Sequence, residues 1–258
     1  LILCFSTLND YRSYIIRDIG YWAFISISIY RTIIFLEKPN WQNGIYWQLS
    51  SLLALLFRVE AIVIILATPL FIVFQLGFRD GLKSAIKLCS LFLLGGVLAA
   101  AVFTQQQGMK SAFGKLLSVT EFLDHSSITE VFHEKATILG KELLSQYSER
   151  YGGMILASGL VYMLLAKIIT GLSPLNLIFF TMAKVQQKTG SSESNTRRFL
   201  LFFIGINLII LLTFLFKHYF ISTRYAVMLI TALMILMLPA MCRLIDDYWQ
   251  AKNKSALI

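Results

Sequence analysis

Charge is scarce in this sequence of 258 residues. Only 14% of the residues are Asp, Glu, Lys or Arg, whereas 57% are hydrophobic. A soluble domain carries about 25% charged residues, so the composition excludes an ordinary soluble protein. The mean hydropathy is +0.70, and long runs of the chain contain almost no charge. These features predict an all-α, polytopic bundle of transmembrane helices formed by residues 1–258.

Cysteine is also rare, and the three cysteines, Cys4, Cys89 and Cys242, lie far apart in or beside apolar segments. Scattered cysteines form neither a disulfide framework nor a metal-binding signature. We interpret them as packing residues. The formal net charge of +9 is typical of membrane proteins with basic cytoplasmic loops, and this favours a membrane over a nucleic acid as the partner.

The chain lacks an initiator methionine, and Leu1 begins inside an apolar stretch. That stretch has neither the basic start nor the small-residue cleavage site of a signal peptide. We therefore interpret the chain as the C-terminal part of a longer protein.

The apolar segments predict about six or seven membrane spans, since about 20 apolar residues cross a bilayer. The candidate spans are Ile19–Leu36, 46–78, Lys87–Phe103, Met154–Met182, Phe199–Phe216 and Tyr225–Met241.

One apolar run, residues 46–78, contains Arg58 and Glu60. As a single helix it would be about 50 Å long, which exceeds the ~30 Å hydrocarbon core. We therefore predict a helix break at Arg58–Glu60 and a broken or re-entrant hairpin with arms 46–57 and 61–78. Met154–Met182 is over-long too, and its Gly171–Pro174 segment predicts a kink or a second break.

The lysines and arginines of the short loops predict the orientation, with twelve on one face and five on the other. The positive-inside rule makes the richer face and the C-terminus cytoplasmic. Residues 184–198 then form a cytoplasmic connector, and residues 104–152 form an external, partly helical loop. A capping box at Ser127–Glu130 predicts a helix in this loop. We interpret its His125, His133 and Glu134 as a solvated helix face, because they lack the spacing of metal ligands.

Several polar groups gather on the predicted external face: Arg17 before the first span, Arg58 and Glu60 at the hairpin tip, and Arg224 and Tyr225 at the start of the last span. Arginine binds phosphate oxygens in a bidentate manner. Together these residues form a candidate site for a lipid phosphate.

Each of these residues also has a structural interpretation. Arg17 with Asp18 would be an interfacial ion pair, and Arg58 with Glu60 would be a lock between helices. Arg224 with Tyr225 would be an anchor at the depth of the lipid headgroups. The sequence leaves both interpretations open.

Three segments resemble membrane glycosyltransferases of the GT-C class, the superfamily of protein O-mannosyltransferases and bacterial lipid A aminoarabinose transferase. They are LNDYRSYIIRDIGYWAF (Leu8–Phe24), LLALLFRVEAIVIILATPLF (Leu52–Phe71) and FISTRYAVMLITALMILMLPA (Phe220–Ala240). They cover about a quarter of the chain, in the order expected for the family.

The resemblance implies an enzyme of the bacterial inner membrane that transfers a sugar from a polyprenyl-phosphate donor on the external face. Its partners would be this lipid-linked sugar and a membrane lipid. Arg224 and Tyr225 would bind the lipid phosphate, with Arg17 and Arg58 as further candidates and Glu60 orienting Arg58. No cofactor is evident in the sequence. A divalent metal is compatible with the sequence, which does not indicate one.

The acidic residue that this family carries in its first external loop is not recognisable here, so the catalytic residues are unassigned. We expect the catalytic base to lie upstream of Leu1 and this part of the protein alone to be inactive. Two other functions stay open: a transporter or flippase without covalent chemistry, and a polymerase or ligase of surface polysaccharide. A membrane scaffold without a ligand is a further alternative.

Overall fold

The computed structural model describes residues 17–105, 125–186 and 195–255. All regular elements in these ranges are helical, which confirms the predicted all-α class. The α-helices are α1 (Arg17–Glu37), α2 (Trp41–Phe57), α3 (Ala61–Leu76), α4 (Phe78–Gln105), α5 (His125–Ile138), α6 (Gly152–Leu172), α7 (Pro174–Gln186), α8 (Asn195–His218) and α9 (Thr223–Ser255). A π-helical turn (Leu139–Leu143) and a 3-10 turn (Glu149–Tyr151) lie between α5 and α6.

Four helical segments of the described chain are long and apolar enough to cross a membrane. They are Asp18–Glu37, Glu149–Leu172, Asn195–His218 and Thr223–Trp249. Two shorter apolar helices are Ala61–Leu76 and Pro174–Ala183. This pattern indicates a helical membrane protein.

The helices belong to two compact units, one formed by Ile15–Gly153 and the other containing Met154–Ile258. The first unit contains α1 to α5. The second contains nearly all of α6 together with α7, α8 and α9.

The predicted break in the apolar run 46–78 is confirmed, because α2 ends at Phe57 and α3 begins at Ala61. The arms differ from the predicted 46–57 and 61–78. Helix α2 begins earlier, at Trp41, since the side chain of Asn40 caps it by accepting a hydrogen bond from the Asn43 backbone N–H at 2.8 Å. Helix α3 ends at Leu76 because Gly77 takes a φ of 82°, a conformation that favours glycine.

The second predicted break is confirmed as well. Helix α6 ends at Leu172 and α7 begins at Pro174. Between them Ser173 has a φ of 64°, which is uncommon for a residue other than glycine. Proline suits the first position of α7, where its missing N–H has no helical acceptor to lose.

Helices α1 and α2 are antiparallel, and a hydrogen bond between the buried Ser28 and Ser51 hydroxyls (2.8 Å) connects them. Helix α2 also packs on α4. Close approach is possible there because of Gly44, where a Cβ would lie 2.6 Å from the Lys87 carbonyl oxygen. Small residues allow helix backbones to approach in membranes in this way.

Gln48 is the main polar link between α2 and α4. Its Oε1 accepts hydrogen bonds from the backbone N–H groups of Leu91 (2.6 Å) and Phe92 (3.1 Å). Its Nε2 donates to the Gly44 carbonyl and to the Ser90 hydroxyl, both at 3.2 Å. Both ends of this buried amide are therefore satisfied, which burial in an apolar interior requires.

In the second unit α9 packs against both α7 and α8. Buried apolar residues of α8 and the continuous buried stretch Ala226–Ile230 of α9 form its core. One polar residue, Asn207, is buried in α8, and its Nδ2 donates to the Phe203 carbonyl at 2.9 Å.

In the loop predicted for residues 104–152, residues 104 and 105 still belong to α4, and the description resumes with α5. The helix is already formed at His125, so Ser127 lies inside it rather than at its N-cap as the capping box predicted.

We predict that Gly44→Ala destabilises the first unit by about 1–3 kcal/mol, the usual cost of inserting a methyl group into a packed contact. The matched control is Gly95→Ala on α4, where a Cβ would meet nothing within 4 Å. Reversible unfolding in mixed micelles would measure both. Equal stability of the two variants would contradict a close contact between α2 and α4.

Candidate functional site

Arg58 is the centre of an ion-paired cluster at the break between α2 and α3. Its Nη1 donates to Asp18 Oδ1 at 2.5 Å, its Nη2 donates to Glu60 Oε1 at 2.6 Å, and its Nε donates to Glu60 Oε2 at 3.3 Å. The ring of Tyr21 lies 5.7 Å from the guanidinium carbon. Glu60 thus binds the guanidinium fork in a bidentate manner, and Asp18 binds it from α1.

The helix break is what brings Arg58 and Glu60 together. On a continuous helix, side chains two residues apart do not face each other. Arg58 instead has an extended backbone, with φ −145° and ψ 130°, while its N–H still donates to the Ala54 carbonyl and closes the last turn of α2. The break between Arg58 and Glu60 therefore explains how these two side chains can pair.

Asp18 is the partner that sequence reasoning missed. The sequence suggested Arg17 as its neighbour in an ion pair, whereas the structure places the Asp18 carboxylate on Arg58, 40 residues away. The side chain of Arg17 lies outside the described residues. The position of Asp18 in the sequence could have suggested this pairing. A carboxylate in the first turn of a candidate span needs a partner, just as an arginine in an apolar run does.

The cluster is partly shielded from solvent, and of its described charged side chains two are acidic and one is basic. The side chains of Arg58, Asp18 and Glu60 are 16%, 8% and 26% exposed. Two carboxylates face one guanidinium, which makes this arrangement well suited to join α1 to the α2–α3 junction. It is less suited to an anion, because a phosphate would have to compete with both carboxylates.

Arg224 and Tyr225 form a second cluster, at the turn between α8 and α9. The Nη2 of Arg224 donates to the Tyr225 hydroxyl at 2.9 Å, and the guanidinium carbon lies 4.9 Å from the centre of the same ring. The Tyr225 ring packs on Phe214 of α8 at 4.6 Å, and Phe214 packs on His218 at 4.4 Å. Aromatic rings of α8 therefore support Tyr225, which in turn positions Arg224.

Two basic residues, Lys217 and Arg224, flank this turn, whereas Arg197, Arg198 and Arg243 lie about 20 residues away from it along the two helices. Lys217 and His218 occupy the last turn of α8. Between the helices, Tyr219 has a φ of 54°, and burial raises the pKa of its hydroxyl above the ordinary value of 10.0.

The structure thus brings Arg58 to Glu60 and Arg224 to Tyr225, each pair within its own unit. Among the described side chains, no three His, Cys, Asp or Glu residues form a group that could hold a metal ion.

Comparison of the chain with protein-family models, with curated protein sequences and with solved structures found no match.

We predict that Asp18→Asn destabilises the first unit by about 1.5–3 kcal/mol, because it weakens a charge-assisted hydrogen bond between α1 and Arg58, which keeps Glu60 as its other partner. The control is Asp80→Asn, whose carboxylate lies 4.0 Å from Lys83 on an exposed face. Such exposed pairs contribute about 1 kcal/mol or less. Unfolding in mixed micelles would measure both variants.

The double variant Asp18→Asn with Arg58→Gln tests the same contact further. We expect the double variant to be more stable than the sum of the two single changes predicts. Each single change already removes the contact between Asp18 and Arg58, so the double variant loses that contact only once. Additive effects of the two changes would show that these side chains do not stabilise each other.

Proposed function

We propose that this chain is the lipid-phosphate-binding part of a membrane glycosyltransferase that uses a polyprenyl-phosphate sugar as donor. In this proposal the turn between α8 and α9 binds the phosphate through Arg224. The observation that carries the proposal is the position of this guanidinium, held by Tyr225 where two apolar helices meet.

The position of Arg224 suits a lipid with a charged head. It is the second residue of α9, and the candidate spans Asn195–His218 and Thr223–Trp249 end and begin beside it. Span ends lie near the depth of lipid headgroups, where Arg and Tyr are favoured. The phosphate of a membrane lipid would therefore lie at the level of the guanidinium, and its tail would lie along apolar helix surface.

The chemistry of the turn supports an anionic ligand. A guanidinium can donate two parallel hydrogen bonds to phosphate oxygens, and such charge-assisted bonds are stronger than neutral ones. Lys217 and His218 are basic residues in the last turn of the preceding helix, next to the same turn. During sugar transfer, cations at this place would stabilise the charge that develops on the departing lipid phosphate.

We assign the phosphate to Arg224 in preference to Arg58 because Arg58 already donates to the two carboxylates of Asp18 and Glu60, which a phosphate would have to displace. Arg58 and Glu60 then serve to hold the helices in place. Arg17 is retained as a further phosphate ligand on the basis of the sequence.

The proposal includes the finer topology inferred from the sequence. It has six or seven spans with the C-terminus in the cytoplasm of a bacterium, and the sugar is transferred on the outer face of the inner membrane. Short helices such as α3 and α7 would then lie within the membrane as arms of broken spans.

We expect Arg224→Gln to weaken binding of undecaprenyl phosphate roughly tenfold or more, because hydrogen bonds to charged groups contribute about 1.5–3 kcal/mol. Arg224→Lys retains the charge without the fork and should give an intermediate loss. Native mass spectrometry of the chain in nanodiscs would measure the bound fraction, with the neutral alcohol undecaprenol as the ligand control.

The matched protein control is Arg243→Gln, an exposed arginine of α9 whose Nε donates to the Pro239 carbonyl. It should leave binding unchanged. Equal binding by the Arg224→Gln variant and the unaltered chain would refute the assignment, as would equal binding of undecaprenol and undecaprenyl phosphate. In membranes that contain the full-length protein, Arg224→Gln should also reduce sugar transfer while leaving the amount of protein unchanged.

A transporter is the second candidate, and the helix breaks at Arg58–Glu60 and at Ser173 favour it. Transporters use such discontinuous helices at their binding sites. The two functions differ in their product: a glycosyltransferase forms a new glycosidic bond on the acceptor, whereas a transporter moves the lipid-linked sugar across the bilayer unchanged.

A further inference from the structure

The segment between α5 and α6 contains an open cleft of about 830 Å³ that belongs entirely to the first unit. Its walls are helix α5 on one side and the turn that leads into α6 on the other. The lining residues on which the argument rests are Phe132, Thr137, Gln146, Tyr147, Glu149 and Arg150. Pockets that bind small organic ligands have volumes of about 300–1,000 Å³, so the cleft can hold a ligand of that size.

Two glycines bring the walls of the cleft together. A Cβ at Gly140 would lie 2.7 Å from the Glu149 carbonyl oxygen, and a Cβ at Gly152 would overlap the Ala136 carbonyl oxygen. The backbones of α5 and of the following turns therefore touch at two places. Such contacts hold the two walls at a defined separation without a ligand.

The described lining residues mix polar and apolar side chains. Among them Glu149 is the one carboxylate and Arg150 is the one guanidinium, and their formal charges cancel. The amide of Gln146 and the hydroxyl of Thr137 add neutral donors and acceptors, and His133 contributes an imidazole. This composition disfavours a nucleotide or a phosphorylated ligand, which would need an excess of positive charge.

Aromatic rings complete the cleft. Tyr147 is 91% exposed although it is a large aromatic residue, and Phe132 lines the cleft from α5. The Nη2 of Arg150 donates to the Tyr151 hydroxyl at 2.6 Å, and its guanidinium carbon lies 4.7 Å from the centre of that ring. Tyr151 therefore holds the Arg150 guanidinium in place. A fixed guanidinium can orient a ligand through its hydrogen bonds.

We propose that this cleft binds a neutral oligosaccharide. A sugar ring has an apolar C–H face that packs on an aromatic ring, and vicinal hydroxyls that pair with carboxylate, amide and guanidinium groups. The cleft presents all of these: Tyr147 for stacking, and Gln146, Glu149 and Arg150 for the hydroxyls. The proposal goes beyond the lipid-phosphate site, because the cleft lies in the other unit and its ligand has no phosphate.

Saturation-transfer NMR on the purified chain in nanodiscs tests the proposal, with maltose, cellobiose, lactose and chitobiose as neutral probes and glucose 1-phosphate as the charged probe. We expect saturable binding of at least one neutral disaccharide. Tyr147→Ala and Gln146→Ala should each weaken it roughly fivefold or more, the loss expected for a stacking or hydrogen-bonding contact.

Tyr248→Ala is the matched control, since Tyr248 is also strongly exposed but lies on α9 in the second unit. It should leave disaccharide binding unchanged, and the exposure of Tyr147 means that its replacement should leave the helical circular-dichroism spectrum unchanged. Failure of all four disaccharides to bind would overturn the proposal. Preferential binding of glucose 1-phosphate, or unaltered binding by the Tyr147→Ala variant, would overturn it as well.

These measurements are independent of the lipid-phosphate site. Loss of undecaprenyl phosphate binding in Arg224→Gln with intact disaccharide binding would show that the two sites act separately. Loss of disaccharide binding in Tyr147→Ala with lipid binding retained would also show that the two sites act separately.

Discussion

A polar group buried among apolar helices has no water to bond, and this constraint explains the buried polar contacts within the described part of the chain. A polar group in an apolar helix must find its partner within the protein. Gln48 satisfies both ends of its amide on α2 and α4, the Ser28 and Ser51 hydroxyls bond to each other, and Asn207 bonds to its own helix. The same requirement selects glycine at position 44, because the two helices must approach closely for the Gln48 amide to reach α4.

The two arginine clusters meet this constraint in different ways. Arg58 is compensated by carboxylates from α1 and from its own turn, and the resulting contacts join three helix ends. Arg224 lies at the end of a candidate span and contacts the ring of Tyr225, which packs on Phe214. Arg224 is held by the ring and the hydroxyl of Tyr225, whereas an anion at Arg58 would have to displace two carboxylates. This difference underlies the assignment of a structural role to one cluster and a binding role to the other.

Much of the architecture could be predicted from local sequence patterns. The apolar runs indicate transmembrane helices, and the length of residues 46–78 together with its internal charges predicts the break at Arg58–Glu60. Gly171–Pro174 likewise predicts the break before α7. The starts of helices were harder to predict: α2 begins at Trp41 because Asn40 caps it, and α5 includes Ser127, which the sequence suggested as a cap. Capping depends on the backbone conformation of one residue, which neighbouring residue types constrain only weakly.

By itself, the sequence determined that this is a helical membrane protein, where two of its helices break, and which arginines require an explanation. Hydropathy, proline and helix length are properties of continuous segments, so they can be read without knowing the fold. Only the tertiary structure decided that Asp18 binds Arg58, that Gln48 joins α2 to α4, and that Tyr147 and Arg150 line one cleft. These relations join residues that are distant in the chain or depend on the path of a turn, and they follow from how the helices pack rather than from any local pattern.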